Sequence, residues 1–223
     1  MTDYGVLFDL DGTLADTLVD LCVSLNHALA LGGFPPHTDQ GCRARIGGGA
    51  RELVRRALPP EAEAQTDQVL EAFRVHYQAH LLDRTVLYPG IAALLDRISA
   101  QGLPLGLWSN KPQEMTEAIA ARLLAPWSWR IVRGHRRGVP PKPSTEALPD
   151  LLGALGLPAG RVAMVGDSEV DLGAARAGGM APFTVLWGLR DEETLRAAGA
   201  SRLSRSPAEL ADQLLDWSGH APR

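Results

Sequence analysis

The sequence has 223 residues, a net charge of −4 and an isoelectric point near 5.9. This acidic balance argues against nucleic acid as a partner, because proteins that bind nucleic acids usually carry a basic surface for the phosphate backbone. With 45% hydrophobic residues and no apolar run of transmembrane length, the composition is typical of a globular protein without membrane contact. No signal-peptide pattern opens the chain, so we expect a cytoplasmic protein.

Only two cysteines occur, Cys22 and Cys42, and no zinc-type spacing of Cys and His surrounds them. Disulfides are rare in the reducing cytoplasm, where we expect the protein to be found. We therefore expect two separate thiols rather than a disulfide.

The first predicted element is a short buried strand, Val6–Phe8, which ends before the turn residue Gly12. Asp9 and Asp11 lie at its exit, and they project to the same side because side chains alternate along an extended segment. Two carboxylates this close repel each other unless a cation lies between them or one of them holds a proton, and a divalent metal is the simpler explanation. A calcium-binding loop would continue with acidic residues and close with Glu, whereas Leu14 follows here and no closing Glu arrives.

Residues 16–84 show helical periodicity and no convincing strand pattern. Glycine and proline clusters divide this region and predict about four helices, over residues 17–31, 38–45, 50–58 and 61–82. We therefore predict a small α-helical cap domain inserted at 16–84, and a core domain made of residues 1–15 and 85–223.

From residue 85 onward, helical and strand patterns alternate. We predict helices at 91–100, at 112–124, up to 155 and up to 177, and strands at 103–108, near 131, at 162–165 and at 183–186. Pro149 is expected in the first turn of the third helix. The alternation predicts an α/β fold, a Rossmann-like parallel sheet with helices on both faces, whose site lies beyond the carboxyl ends of the strands.

Polar residues follow the predicted strands of this core. Ser109 and Asn110 precede the helix that Pro112 opens, where a hydroxyl and free N–H groups at a helix N-terminus would hold an anion. Lys142 lies between prolines, which restricts how its ammonium group is presented. A basic loop is predicted at 133–137, either as a contact for an anionic substrate or as plain surface.

The strand at 162–165 leads into Gly166, which allows a tight turn. Asp167 and Asp171 then place one carboxylate at the strand exit and another in the first helical turn, four residues apart. Together with the two aspartates after the first strand, these residues are consistent with one chemistry at the carboxyl ends of the predicted strands.

These motifs resemble, in order, those of the haloacid dehalogenase superfamily, whose members are mostly phosphatases. Asp9-Leu10-Asp11-Gly12-Thr13-Leu14 is similar to its opening motif, Lys142 to its third motif, and Gly166-Asp167 with Asp171 to its metal motif. The resemblance implies that Asp9 is a nucleophile forming an aspartyl-phosphate, that Asp11 is the general acid and base, and that Lys142 binds both the nucleophile and the phosphate.

The resemblance also implies a cofactor and a phosphate site. Mg²⁺ is expected on the side chains of Asp9 and Asp167 and on the backbone carbonyl of Asp11. Asp171 is expected to orient Lys142 or a metal-bound water, with direct ligation left open. The groups expected to bind the phosphoryl oxygens are Ser109, Lys142 and the N–H groups of Asn110, Asp11 and Gly12.

Residues 46–53, Ile-Gly-Gly-Gly-Ala-Arg-Glu-Leu, are similar to the cap segment of the phosphoglycolate phosphatase-like subfamily. This similarity implies a small phosphate monoester as the partner, 2-phosphoglycolate first, with Arg51 or a neighbouring N–H group binding its carboxylate. Arg51 as a solvated helix residue stays open. So do a phosphatase for a sugar phosphate, a nucleotide or pyrophosphate, a β-phosphoglucomutase-like phosphomutase, a non-catalytic binding module, and the choice between monomer and homodimer.

Overall fold

The computed structural model describes residues 3–219. In chain order, the strands are β1 (Gly5–Phe8), β2 (Ala15–Asp16), β3 (Val86–Leu87), β4 (Leu105–Pro112), β5 (Trp129–His135), β6 (Val162–Gly166), β7 (Ala181–Val185) and β8 (Leu203–Ser204). The helices are α1 (Leu18–Leu31), α2 (Asp39–Arg43), α3 (Ala50–Ala57), α4 (Thr66–Ala79), α5 (Ile91–Ala100), α6 (Gln113–Leu123), α7 (Leu148–Leu155), α8 (Glu169–Ala177), α9 (Glu192–Ala197) and α10 (Pro207–Trp217). Two 3₁₀ helices cover Pro60–Gln65 and Ala159–Arg161.

The chain divides into two compact units. Asp16–Val86 forms a helical unit, and the described residues on either side of it form an α/β unit. The short strands β2 and β3 pair with each other where the chain enters and leaves the helical unit. Within residues 3–219, none of the helices has the length and apolar character needed to cross a membrane.

Six parallel strands form the sheet of the α/β unit, in the order β5-β4-β1-β6-β7-β8. β1 lies at the centre, where Val6 is in register with Leu105 of β4 and with Ala163 of β6. All four β1 residues are buried, which explains why this strand is a continuous apolar run rather than an alternating one. The strand order runs outward from β1 on one side and from β6 on the other, so a binding crevice is expected at their carboxyl ends. The predicted α/β fold class is confirmed.

The helical unit is organised around α1 and α4, which pack against each other. Leu25 and Leu29 on α1 and Phe73 and Tyr77 on α4 are among the most deeply buried large side chains. Burying such apolar side chains supplies most of the free energy that holds a helix pair together. Every α-helix of this unit falls inside a helix predicted from the sequence.

Cys22 and Cys42 form a disulfide, so the expectation of two separate thiols is wrong. The hydroxyl of Thr38 accepts a hydrogen bond from the Gly41 N–H at 3.1 Å and caps α2. Because α2 packs against α1, the Cα atoms of the two cysteines lie 5.6 Å apart, a separation that a disulfide spans. The expectation rested on the cellular compartment, which says nothing about how two helices pack.

Several element boundaries differ from the prediction. The helix predicted at 61–82 is divided into a 3₁₀ helix and α4, because Pro60 starts a tighter turn before the α-helix begins. The strand predicted to end at residue 108 continues to Pro112, which pairs with His135 of β5. Arg133 therefore lies on a strand rather than in a basic loop, and it is buried, with its guanidinium 3.3 Å from the carboxylate of Asp150. α7 carries Pro149 in its first turn, as predicted.

Candidate active site

The segment after β1 carries Asp9 and Asp11. The Asp9 N–H donates to the carbonyl of Val165 at 2.9 Å, so the pairing of β1 with β6 continues as far as this residue. Gly12 follows with a φ of 84°, a backbone conformation that residues with a Cβ rarely adopt. A Cβ at this position would also overlap the carboxylate of Asp167, so glycine is required here for both conformation and space.

Lys142 is buried and joins two of the predicted carboxylates. Its Nζ lies 2.8 Å from Oδ1 of Asp9 and 2.6 Å from Oδ1 of Asp171. The Asn110 side chain fixes the lysine backbone from both sides: its Oδ1 accepts from the Lys142 N–H at 2.7 Å, and its Nδ2 donates to the Lys142 carbonyl at 3.0 Å. Since this amide is engaged with Lys142, the predicted phosphate contact of Asn110 rests on its backbone N–H.

Asp9, Asp167 and Asp171 form a buried acidic cluster, and each offers a carboxylate oxygen within 4.8 Å of the others. Burial raises the pKa of Asp9 to about 7, although Lys142 acts in the opposite direction. Burial, followed by the charges of Asp171 and Asp9, also raises the pKa of Asp167 well above its ordinary value. Burial alone would lower the pKa of Lys142, but the charges of Asp171 and Asp9 outweigh it and raise that pKa. The cluster could hold a metal ion, because its carboxylates, once ionised, offer hard oxygen atoms and more negative charge than one ammonium group balances.

Asp11 is paired with a residue that the sequence analysis did not assign. The Nζ of Lys111 lies 2.9 Å from Oδ1 and 3.1 Å from Oδ2 of Asp11. Ser109, the predicted phosphate ligand on the same strand, is also buried, and its Oγ accepts from the Lys111 N–H at 3.2 Å. The sequence does contain a signal for this lysine: Lys111 and Lys142 are the only lysines in the chain.

A second unassigned contact comes from the loop after β7. The indole Nε1 of Trp187 donates to the carbonyl of Thr13 at 3.0 Å and so holds the turn that follows Asp11. The next residue, Gly188, lies so close to Asp167 that a Cβ there would overlap the aspartate side chain. Nothing in the sequence connects residues 13 and 187, which are far apart along the chain.

Arg51, predicted to bind a substrate carboxylate, lies on α3 of the helical unit. Its guanidinium forms an ion pair with Asp67, and 62% of its side-chain surface is exposed. Exposed ion pairs of this kind are weak and exchange readily with other anions. The predicted role of Arg51 therefore stays a prediction. The catalytic, phosphate-binding and metal-binding roles predicted for residues of the α/β unit stay predictions as well.

The model of the family described as haloacid dehalogenase-like hydrolase matches residues 6–185. The chain belongs to this family. The haloacid dehalogenase-like match begins in β1 and ends in β7, so it contains Asp9, Asp11, Lys142, Asp167 and Asp171.

Individual haloacid dehalogenase-like relatives cover nearly the whole chain. It is 35% identical to the phosphoglycolate phosphatase of Chromobacterium violaceum, over 93% of this chain and 95% of that one. It is 30% identical to the phosphoglycolate phosphatase of Mesorhizobium japonicum, over 96% and 98% of the two chains. The crystal structure of a candidate phosphoglycolate phosphatase from Lactobacillus delbrueckii subsp. bulgaricus matches with a TM-score of 0.89 and 27% identity, over 96% and 99% of the two chains.

Proposed function

We propose that this protein is a Mg²⁺-dependent phosphatase that hydrolyses a small phosphate monoester through an aspartyl-phosphate on Asp9. The observation that carries the proposal is the pair of aspartates after β1, each held by a buried lysine: Asp9 by Lys142 and Asp11 by Lys111. One carboxylate is then available as a nucleophile and the other as a general acid and base, the two functions that ester cleavage at phosphorus requires. The second aspartate also separates a phosphatase from a dehalogenase, since an alkoxide leaving group needs a proton.

In the first step, Oδ of Asp9 attacks phosphorus in line with the ester oxygen. The bond from Asp9 to phosphorus forms as the bond from phosphorus to the ester oxygen breaks, and Asp11 gives its proton to the departing oxygen. In the second step, Asp11 takes a proton from water as the water oxygen attacks phosphorus. The phosphate then leaves and Asp9 is regenerated as a carboxylate.

The surrounding residues balance charge and fix orientation during both steps. Lys142 neutralises Asp9 and contacts the transferred group, while Ser109 and the N–H groups of Gly12 and Asn110 are suited to its oxygen atoms. Mg²⁺, bound by Asp9, Asp167 and the carbonyl of Asp11, would supply positive charge for the phosphoryl oxygens. Its fit to this chain is supported by the buried carboxylate cluster and the raised pKa values of Asp9 and Asp167.

We propose 2-phosphoglycolate as the substrate, because two relatives that match this chain almost from end to end are phosphoglycolate phosphatases. In this proposal Arg51 would leave Asp67 and bind the substrate carboxylate, since its fork matches a carboxylate with two hydrogen bonds. A sugar phosphate, a nucleoside monophosphate, pyrophosphate and the phosphomutase substrate β-glucose 1-phosphate are the competing substrates.

The test is phosphate release from 2-phosphoglycolate, the sugar phosphate, the nucleoside monophosphate and pyrophosphate, together with isomerisation of β-glucose 1-phosphate to glucose 6-phosphate. Each activity is measured with and without Mg²⁺ and compared as kcat/KM. We expect activity only with the metal, and a preference of at least about tenfold for 2-phosphoglycolate, equivalent to about 1.4 kcal/mol in the transition state. Asp9→Asn, which keeps the size of the side chain but is not a carboxylate nucleophile, is expected to abolish turnover. Another ester in first place would overturn the substrate, and full activity of Asp9→Asn would overturn the mechanism.

A further inference from the structure

The use of lysine in this chain is unusually selective. Of its 22 cationic residues, twenty are arginine and only Lys111 and Lys142 are lysine. Both lysines are buried, and each pairs with one of the two aspartates after β1. Charged residues are almost never fully buried unless they are paired, so each burial has a cost that its partner must offset. Lys142 has an assigned role at Asp9, whereas Lys111 has none.

Lys111 holds Asp11 by both carboxylate oxygens, at 2.9 and 3.1 Å from its Nζ. Contacts to both oxygen atoms restrain the position of the Asp11 carboxylate in front of the ammonium group. The lysine is itself fixed, because only 3% of its side-chain surface is exposed and its carbonyl accepts from the hydroxyl of Thr116 at 3.1 Å. Asp11 keeps 17% of its side-chain surface exposed, so it is held from one side and open on another.

We propose that Lys111 is a positioning residue that orients Asp11 for proton transfer and balances the charge that Asp11 acquires. The inference rests on the proposed phosphatase function and deepens it. As the bond between phosphorus and the ester oxygen breaks, the proton of the Asp11 carboxyl moves to that oxygen, and Asp11 becomes a carboxylate beside a fixed ammonium group. A charge that is already in place needs no reorganisation when the proton moves, which lowers the barrier of that step.

The contribution of Lys111 to the rate should therefore depend on the leaving group of the substrate. An alkoxide leaves slowly unless it receives a proton, so alkyl phosphates need a well-oriented Asp11. Acetate leaves as a stable carboxylate, so acetyl phosphate needs no proton from Asp11 in the first step. A residue that acts through Asp11 therefore affects the two classes of substrate differently, whereas a residue that binds the phosphoryl group affects them alike.

The experiment measures kcat/KM for 2-phosphoglycolate, 2-hydroxyethyl phosphate and acetyl phosphate with Mg²⁺. This ratio reports only steps up to the departure of the leaving group, which excludes the later hydrolysis of the aspartyl-phosphate. The variants are Lys111→Met, which keeps length without charge, Lys111→Arg, Asp11→Asn and the double variant Lys111→Met with Asp11→Asn. Ser109→Ala is the matched control, because Ser109 lies on the same strand and is assigned to the phosphoryl group.

We expect Lys111→Met to lower kcat/KM about 10²-fold for both alkyl phosphates, which is within the range that general acid catalysis supplies. For acetyl phosphate we expect kcat/KM to fall about threefold or less. Lys111→Arg is expected to recover part of the loss, because it keeps the charge with a different shape. Adding Lys111→Met to Asp11→Asn is expected to cost little more, since both changes remove the same proton transfer. Ser109→Ala is expected to lower kcat/KM for all three substrates by similar factors.

Three results would overturn the inference. Equal losses of Lys111→Met on all three substrates would mean a phosphoryl-binding or structural role, and unchanged kcat/KM values would mean no role. A loss confined to 2-phosphoglycolate would mean that Lys111 binds the substrate carboxylate, because 2-hydroxyethyl phosphate lacks that group. A wild-type protein that hydrolyses none of the three with Mg²⁺ would overturn the proposed function itself, whereas an active wild type without the split would overturn only the role of Lys111.

Discussion

Asp9 shows how burial changes the chemistry of an ordinary aspartate. Its pKa is raised to about 7 from a usual value of 3.8, so the folded protein holds this proton more tightly than the unfolded chain does. At a pH between these two pKa values, Asp9 is ionised in the unfolded chain but protonated in the folded protein. The stability that protonated Asp9 contributes to the metal-free protein is therefore lost as the pH rises from about 4 to about 7, and this loss is complete above that range.

We predict from this shift that stabilisation by Mg²⁺ increases with pH. A metal ion binds the ionised carboxylate and competes with its proton, so at fixed, subsaturating Mg²⁺ the rise in Tm is expected to be larger near pH 8 than near pH 6. Thermal unfolding with and without Mg²⁺ across this range measures the effect, and Asp9→Asn is expected to weaken the pH dependence. An equal Tm increase at both pH values would contradict the prediction.

At the same scale, the sequence predicted most of the residues that the structure brings together at the acidic cluster. Asp9, Asp167 and Lys142 follow apolar strands or stand between prolines, and such signals are local. Lys111 was missed although it stands beside a predicted ligand, because nothing local says that its side chain reaches Asp11 a hundred residues away. Trp187 was missed for the same reason, since its partner is the backbone of Thr13.

At the scale of elements, Asp20 connects the start of α1 to the end of the helical unit. This buried carboxylate accepts hydrogen bonds from the N–H groups of Arg84 and Thr85 at 2.8–3.1 Å, and from the Thr85 hydroxyl at 2.8 Å. Thr85 is buried, so its N–H group would lose its acceptor where water does not readily replace it, which is costly.

We predict that Asp20→Ala lowers the free energy of unfolding of the helical unit by about 2–4 kcal/mol, since it leaves these donors without their acceptor. Urea unfolding followed by circular dichroism measures the change. The control is Asp39→Ala, at an exposed position of the same unit, for which we expect a change within about 0.5 kcal/mol. A loss below about 1 kcal/mol for Asp20→Ala would show that the two N–H groups find other acceptors.

Sequence periodicity predicted the elements that are long and regular. It failed for elements whose existence or length depends on pairing with another strand. α5 has the predicted bounds because its apolar residues repeat at helical spacing between a glycine and a polar end. β8 has only two residues, too few for a pattern, and it exists because it pairs with β7. The extension of β4 to Pro112 likewise depends on its pairing with β5.

At the scale of the whole molecule, the effect of a bound metal on each of the two units can be measured. Asp9, Asp167 and Asp171 all belong to the α/β unit, so a metal bound there should protect that unit locally. We predict that Mg²⁺ slows amide hydrogen exchange in β1, in β6 and in the loop after β7, and leaves exchange in α1 and α4 unchanged. Hydrogen exchange with mass spectrometry resolves these segments. Equal slowing in both units would mean that the metal stabilises the molecule as a single cooperative block.

The sequence predicted the architecture at this scale because alternating strands and helices leave few alternatives to a parallel sheet. β1, β4, β6 and β7 each have an apolar core that identifies them without any partner. The disulfide between α1 and α2 could not be predicted in this way, since it depends on how two helices meet.

Because lysine occurs at only two positions and both are buried, the rate of lysine acylation can report local opening of the protein. Only an uncharged, accessible amine attacks an acylating reagent, and the side chains of Lys111 and Lys142 are both buried and held in ion pairs. Their labelling therefore has to wait for the strand or loop that carries them to open. The twenty arginines do not react in such an experiment, so the rate of lysine acylation would measure the opening of the candidate active site.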